Sequence, residues 1–125
     1  MAVTARDLGL ARRDRLRSRR DFVRLSRDGE RRASAHFVLF LARSGRRGGD
    51  LAGERPRLGV TASRKVGNSV VRNGIKRRIR TAFRIHRGLL PRGSDVVVIA
   101  RSGAGELGGA RVAEELAVLF AGRGR

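Results

Sequence analysis

The sequence predicts an α+β fold in which a layer of helices packs on one small sheet. Two observations carry this. Apolar runs rich in strand formers alternate with helix-like segments late in the chain. Those helical segments are apolar along one stripe only, so each needs another layer to lie against. At 125 residues the chain has the size of a single domain. Five Phe and no Tyr or Trp leave Val, Leu, Ile and Ala to fill most of a small core.

Residues 1–14 read as a flexible basic lead-in. A short helix follows: Ser18 is a candidate N-cap, Asp21 three positions on approximates a capping box, and Gly29 offers a stop. Phe22, Val23 and Leu25 are expected on its buried side. Residues 36–42, HFVLFLA, read as a strand. Phe37 does not alternate cleanly with Phe40 or Leu39 and is assigned to the core. Residues 44–56, with four Gly, read as a Gly-rich loop. Residues 57–63 form a second strand, with Leu58, Val60 and Ala62 alternating against Gly59, Thr61 and Ser63. A long helix spans about 69–87, N-capped by Asn68 and stopped by Gly88, with Leu89 folding back on Phe83. Residues 95–100 read as a fully buried strand. Residues 110–120 close the chain as an amphipathic helix burying Val112, Leu116, Leu119 and Phe120. No internal repeat is visible.

The net charge of +19 destabilises a compact state through self-repulsion unless an anion neutralises it. A nucleic acid is the natural counterpart, because Lys and Arg release its condensed counterions. A membrane-spanning role is excluded by the lack of any run near the ~18 apolar residues needed. No secretory signal is evident, and the absence of Cys excludes a disulfide framework, a thiol nucleophile and a zinc–thiolate site. A cytoplasmic protein is expected. Only Lys65 and Lys76 among the thirty basic residues are lysines. Arginine forks suit phosphates and base stacking, while a GC-rich genome explains the same bias.

The distribution of charge says more than the total. Residues 55–92 hold twelve Lys or Arg and no Asp or Glu, whereas a solvated helix face normally mixes signs. At ~100° per residue, Val71, Ile75, Ile79 and Ala82 fall within an arc of ~80°. Arg72, Lys76, Arg80, Arg84 and Arg87, flanked by Arg77, form a ridge beside that stripe. Such a row can meet several phosphates at once. No carboxylates cluster to hold catalytic metals, and His36 and His86 stand apart, so independent hydrolysis is not expected.

The segment 57–84, RLGVTASRKVGNSVVRNGIKRRIRTAFR, is similar to the signature of bacterial ribonuclease P protein subunits. That signature runs arginine-x-glycine, a Ser/Ala-Lys-Lys-like element, then V-x-R-N-R-x-K-R. The matching residues are Arg57, Gly59, Ser63, Arg64, Lys65, Gly67, Asn68, Val71, Arg72, Asn73, Ile75, Lys76, Arg77 and Arg80. Upstream, Leu16, Arg17, Asp21, Phe22 and Gly29 resemble the family's first helix, and Phe37, Val38, Leu39 and Phe40 its aromatic strand. Two positions depart from the pattern. Gly74 replaces the second Arg of Arg-Asn-Arg, which implies weaker affinity, and Ser26 stands where the family often has another aromatic.

The resemblance implies a ribosomal-protein-like RNA-binding sandwich: three helices on a four-stranded sheet, with a left-handed βαβ crossover where the general rule gives a right-handed one. It implies an RNA subunit that performs hydrolysis with Mg²⁺, and a protein subunit that carries no catalytic residue and no metal. Arg72, Asn73, Lys76, Arg77 and Arg80 are then expected on the catalytic RNA, with Arg64, Lys65, Asn68 and Arg84 on the same surface. Phe22 and Phe40 are candidates for a cleft holding the 5′ leader of precursor tRNA, where aromatic faces stack unpaired bases; Phe22 is equally compatible with core packing. The expected partners are ribonuclease P RNA and precursor tRNA, with no membrane and no obligate protein partner. The competing class is a ribosomal or other structural RNA-binding protein. A helix-turn-helix DNA binder fits less well, because the basic helix lies between expected strands.

Overall fold

The computed structural model describes residues 10, 14–16, 18–43 and 55–122. Most of the expected lead-in 1–14 and of the loop 44–56 lies outside them. Among the described residues the elements are α1 (Arg19–Asp28), β1 (Glu30–Ala33), β2 (Phe37–Arg43), β3 (Arg57–Ala62), α2 (Ser69–His86), β4 (Ser94–Ala100) and α3 (Gly109–Phe120). Short 3₁₀ turns lie at Arg87–Leu89 and Ala104–Glu106.

The four strands form one sheet in the order β1-β2-β4-β3. β1 and β4 each pair antiparallel with β2, and β3 pairs parallel with β4. The chain β3-α2-β4 is therefore a βαβ unit joining neighbouring strands. Period-two alternation sorts the side chains between faces. Phe37, Leu39, Leu41, Val96, Val98 and Ala100 join the core under α2 and α3. Val97, with Phe40, Ala42 and Ile99, meets Leu25 and Phe22 of α1 on the other face. The sheet is thus sandwiched between helices instead of carrying them all on one side. Phe37 is in the core as expected, but it alternates cleanly: it shares a face with Leu39 and opposes Phe40.

Strand β1 has no signature in the residues. Its sequence ERRA is polar, and it is a short charged edge of the kind that resists further pairing. Arg32 points to the helix side, where its guanidinium donates to the carbonyls of Leu119 (2.8 Å) and Phe120 (3.1 Å) at the end of α3. Carbonyls at a helix end lack partners within the helix; that of Leu119 also accepts the Gly122 N–H at 3.1 Å, and a cation is favoured there. The opposite edge, β3, is covered by the N-terminal segment: the Leu16 N–H donates to the Leu58 carbonyl at 2.8 Å. Two residues of the expected lead-in are held firmly. Leu10 joins the main core, and buried Asp14 pairs with Arg87 at 3.1 Å and Arg55 at 3.5 Å.

Local details depart from expectation in ways packing explains. Ser18 caps α1 by accepting from the Arg20 N–H at 3.1 Å, but Asp21 pairs with Arg24 and closes no box. Val23 is 44% exposed; the apolar side chains of α1 that pack on the sheet are Leu25 and Phe22. Gly29 admits a tight turn into β1: a Cβ there would lie 2.6 Å from the Leu25 carbonyl oxygen. Gly88 does not stop α2 in a left-handed turn. The helix tightens into the 3₁₀ turn, and Leu90 is buried in place of Leu89, which is 47% exposed.

Glu115 ties α3 to the β1–β2 turn. Its carboxylate accepts from the Ser34 hydroxyl and, at 2.9 Å, from the His36 N–H, and it meets His36 Nδ1 at 2.9 Å. Burial acts to raise its pKa, but hydrogen bonds from Ser34 and His36 outweigh it and lower the value overall. A carboxylate with a depressed folded-state pKa adds stability above its unfolded value, and this is lost as pH falls through the folded one. Thermal unfolding followed from about pH 6 to about pH 3 should therefore show an acid-sensitive component that is missing in Glu115→Gln.

Candidate nucleic-acid interface

The basic helix α2 begins where Asn68 accepts the Val71 N–H at 3.0 Å. Its first turn holds no acid, although the positive end of the helix dipole favours one. Ile75, Ile79, Ala82 and Phe83 are buried against the core, so the helix is rotationally fixed. That places Arg72, Lys76, Arg80 and Arg84 half-buried along one flank, with Asn73 and Arg77 exposed beyond them. Arg64 and Lys65 are exposed in the turn before the helix. Among the described residues none of these cations forms a salt bridge. The side-chain oxygen of Asn68 is committed to the cap, which leaves its amide nitrogen to donate elsewhere.

This row is electrostatically unsatisfied. Burial, and then the nearby charges of Arg15 and Arg77, lower the pKa of Arg80. Arg72 Nε and Arg84 Nη1 are buried donors without an acceptor, a condition folded proteins normally avoid. Arg15 and Arg80 face a small pocket with Leu16, Leu58 and Val60. A phosphate is a group that carries both the acceptors and the negative charge this row lacks. Arg15 was not anticipated, because only the pairing of its segment along β3 brings it to α2. Arg87, expected in the ridge, is not available there: it donates to Asp14 and lies 5.6 Å over the Phe83 ring.

The second surface lies on the α1 side of the sheet. The Phe22 ring rests on Gly59, where a Cβ would come within 2.7 Å of it. Gly59 and Phe40 both pair with Val97, so the two aromatic positions stand two strands apart, ~10 Å by strand spacing. Phe22 and Phe40 are both half-buried. Phe22 is thus a packed wall as well as an open ring, while Phe40 continues into a half-exposed floor of Val38, Ile99 and Thr61. Arg31, exposed, sits directly across from Phe40 on the same face; the polar β1 gave no sign of it.

Gly74 lies within the basic helix, and a Cβ there would meet only the Arg78 guanidinium at 3.6 Å, an ordinary contact. Gly74→Ala should therefore stabilise the protein by about 1 kcal/mol, measurable by denaturant unfolding. Gly74→Arg should in addition tighten RNA binding.

Several of the described carboxylates serve structure. Asp95 binds Arg24 and Arg57, Asp14 binds Arg87 and Arg55, Asp21 binds Arg24, and Glu30 binds Arg32. Among the described residues, no three His, Asp or Glu side chains gather to hold a metal ion. No helix is long and apolar enough to cross a membrane.

Comparison with known proteins agrees with this geometry. The family model described as Ribonuclease P matches residues 10–122. The ribonuclease P protein component of Syntrophus aciditrophicus is 35% identical over 113 residues, covering 90% of this chain and 89% of that protein. That of Desulfovibrio desulfuricans is 41% identical over 113 residues, covering 89% and 83%. The solved RNase P protein of Staphylococcus aureus has a TM-score of 0.72 at 29% identity and covers 90% of this chain and 98% of its own. That of Thermotoga maritima has a TM-score of 0.72 at 32% identity, with 86% and 94% covered. With its basic helix, its sheet topology and these relatives in agreement, the chain belongs to the ribonuclease P protein family.

Proposed function

We propose that this chain is the non-catalytic subunit of an RNA-based endoribonuclease that matures the 5′ end of tRNA. α2 binds the catalytic RNA through Arg72, Asn73, Lys76, Arg77, Arg80 and Arg84, joined by Arg15, Arg64, Lys65 and the Asn68 amide. The cleft with Phe22 and Phe40 holds the single-stranded 5′ leader of precursor tRNA. The observation that carries this reading is the half-buried arginine row of α2, acid-free and with orphaned donors, a few strands from an aromatic cleft. Phosphates complete the first surface, and unpaired bases stack in the second.

Hydrolysis in this reading belongs to the RNA. Mg²⁺ bound there would supply a metal-activated nucleophile and stabilise the leaving oxygen, while among the described residues of this chain no three His, Asp or Glu side chains gather to hold a metal ion. The protein's part is to neutralise phosphates and to hold the leader, which raises substrate affinity when Mg²⁺ is scarce. A cytoplasmic location follows from those partners.

The test is cleavage of precursor tRNA at low Mg²⁺ by the protein alone, by a bacterial ribonuclease P RNA alone, and by the two mixed. Cleavage at the mature 5′ end only in the mixture is expected. A folded protein that binds RNA and leaves this reaction unchanged would instead be a structural RNA-binding protein.

A further inference from the structure

We infer that Arg24, Asp95 and Arg57 form a positioning device that sets α1 against the sheet and fixes the width of the cleft. The inference rests on the reading of that cleft as the leader site. Asp95 is fully buried in β4 and paired in register with Arg57 of β3. Arg57 grips it with both arms of its fork, Nε to Oδ1 and Nη2 to Oδ2, each at 2.8 Å. From the helix above, Arg24 Nη2 donates to Oδ2 at 2.7 Å. Arg24 also donates to the Arg43 carbonyl at 3.1 Å, at the end of β2. One side chain of α1 is therefore bonded to two strands and, through the shared carboxylate, to a third.

The rest of the contact under α1 is apolar, with Leu25, Leu16 and Val97 at its centre. Apolar contact is non-directional, so by itself it would let a short helix slide or roll. Buried ion pairs add little net stability, because desolvation offsets the attraction; what they add is direction. The same helix carries Phe22, whose ring rests on Gly59 with no Cβ in between to stop it. A shift of α1 moves that ring relative to Phe40 and changes the slot where a base would stack. In a chain with eleven acids against thirty bases, committing a carboxylate so completely to this one point is consistent with a demand for position.

The experiment uses the reconstituted holoenzyme and compares its affinity for precursor tRNA carrying a leader of several nucleotides with that for mature tRNA. Arg24→Gln leaves the Arg57–Asp95 pair in place and alters a side chain that is 30% exposed, so the fold is retained. It should reduce the preference for the leader by on the order of tenfold, the worth of one stacked base. Affinity for mature tRNA and for the catalytic RNA should not change. Arg24→Lys, with the charge but not the fork, should recover part of the preference. A fall in affinity for both substrates alike would show a merely structural role and overturn the inference. Phe40→Ala separates the two readings. If it abolishes the leader preference while Arg24→Gln does not, the positioning role falls and the cleft stands. If Phe40→Ala leaves the preference intact, the cleft reading falls and the inference with it.

Discussion

Lys76→Ala combined with Arg80→Ala is expected to weaken binding to ribonuclease P RNA and to flatten its salt dependence by about 1.4 to 1.8 units of log–log slope. The figure follows from two phosphate contacts, each releasing about 0.7 to 0.9 of a counterion. Because the loss is electrostatic, it should be largest at low salt and shrink as ionic strength rises. The structure adds an expectation for the free protein. Arg80 is desolvated and repelled by Arg15 and Arg77, so its removal relieves a strain that the free parent carries and that RNA relieves in the proposed complex. Thermal unfolding of the free variant should therefore show no loss, apart from the packing of the arginine stem. Lower affinity with undiminished stability identifies a binding residue; an unchanged slope would remove the basic helix from the interface.

What the sequence made legible was whatever rests on local periodicity. The Asn68 cap, the stripe of Ile75, Ile79 and Ala82, and the closing face of Val112, Leu116, Leu119 and Phe120 all depend on residues within a few turns of one another. The buried strand β4 was legible because its apolar run is continuous. What stayed hidden depends on long-range pairing. Arg87 leaves the ridge for Asp14, 73 residues away, and no pattern in α2 announces that. Arg15 reaches Arg80 only because its segment lies along β3. β1 has no apolar alternation, since Arg32 uses its guanidinium to cap α3 while Arg31 faces out. Asp95 read simply as the start of a strand; only the fold shows it gripped by arginines from a neighbouring strand and from α1. The meeting of Phe22 and Phe40 on one face of the sheet came through family resemblance, because spacing alone left Phe22 open between cleft and core. In the structure its ring is half-buried and rests on Gly59, which fits a wall of the proposed cleft.

Phe83→Ala is expected to destabilise the free protein by about 3 to 5 kcal/mol, a large part of the 5–15 kcal/mol typical of a whole domain. Phe83 is fully buried where α2 crosses α3. Its ring meets Phe120 edge-on, with centroids 6.2 Å apart and planes at 88°, and the Arg87 guanidinium covers its face. Truncation therefore opens a cavity, breaks an aromatic pair and loosens the arginine that holds Asp14. A chain carrying +19 has little reserve, because self-repulsion already opposes the compact state. The Phe83 side chain is buried in the core and takes no part in the proposed RNA surface, so the defect should be reversible by mass action. RNA at a hundredfold excess over its Kd restores about 2.7 kcal/mol. The thermal midpoint of the variant should thus fall sharply alone and recover substantially with RNA, while the low-Mg²⁺ cleavage assay approaches parent activity at saturating RNA. Phe83→Leu, which keeps most of the volume, should lose less in both measurements. A variant that is well folded with RNA yet inactive would mean that Phe83 does more than support α2 from its buried stripe.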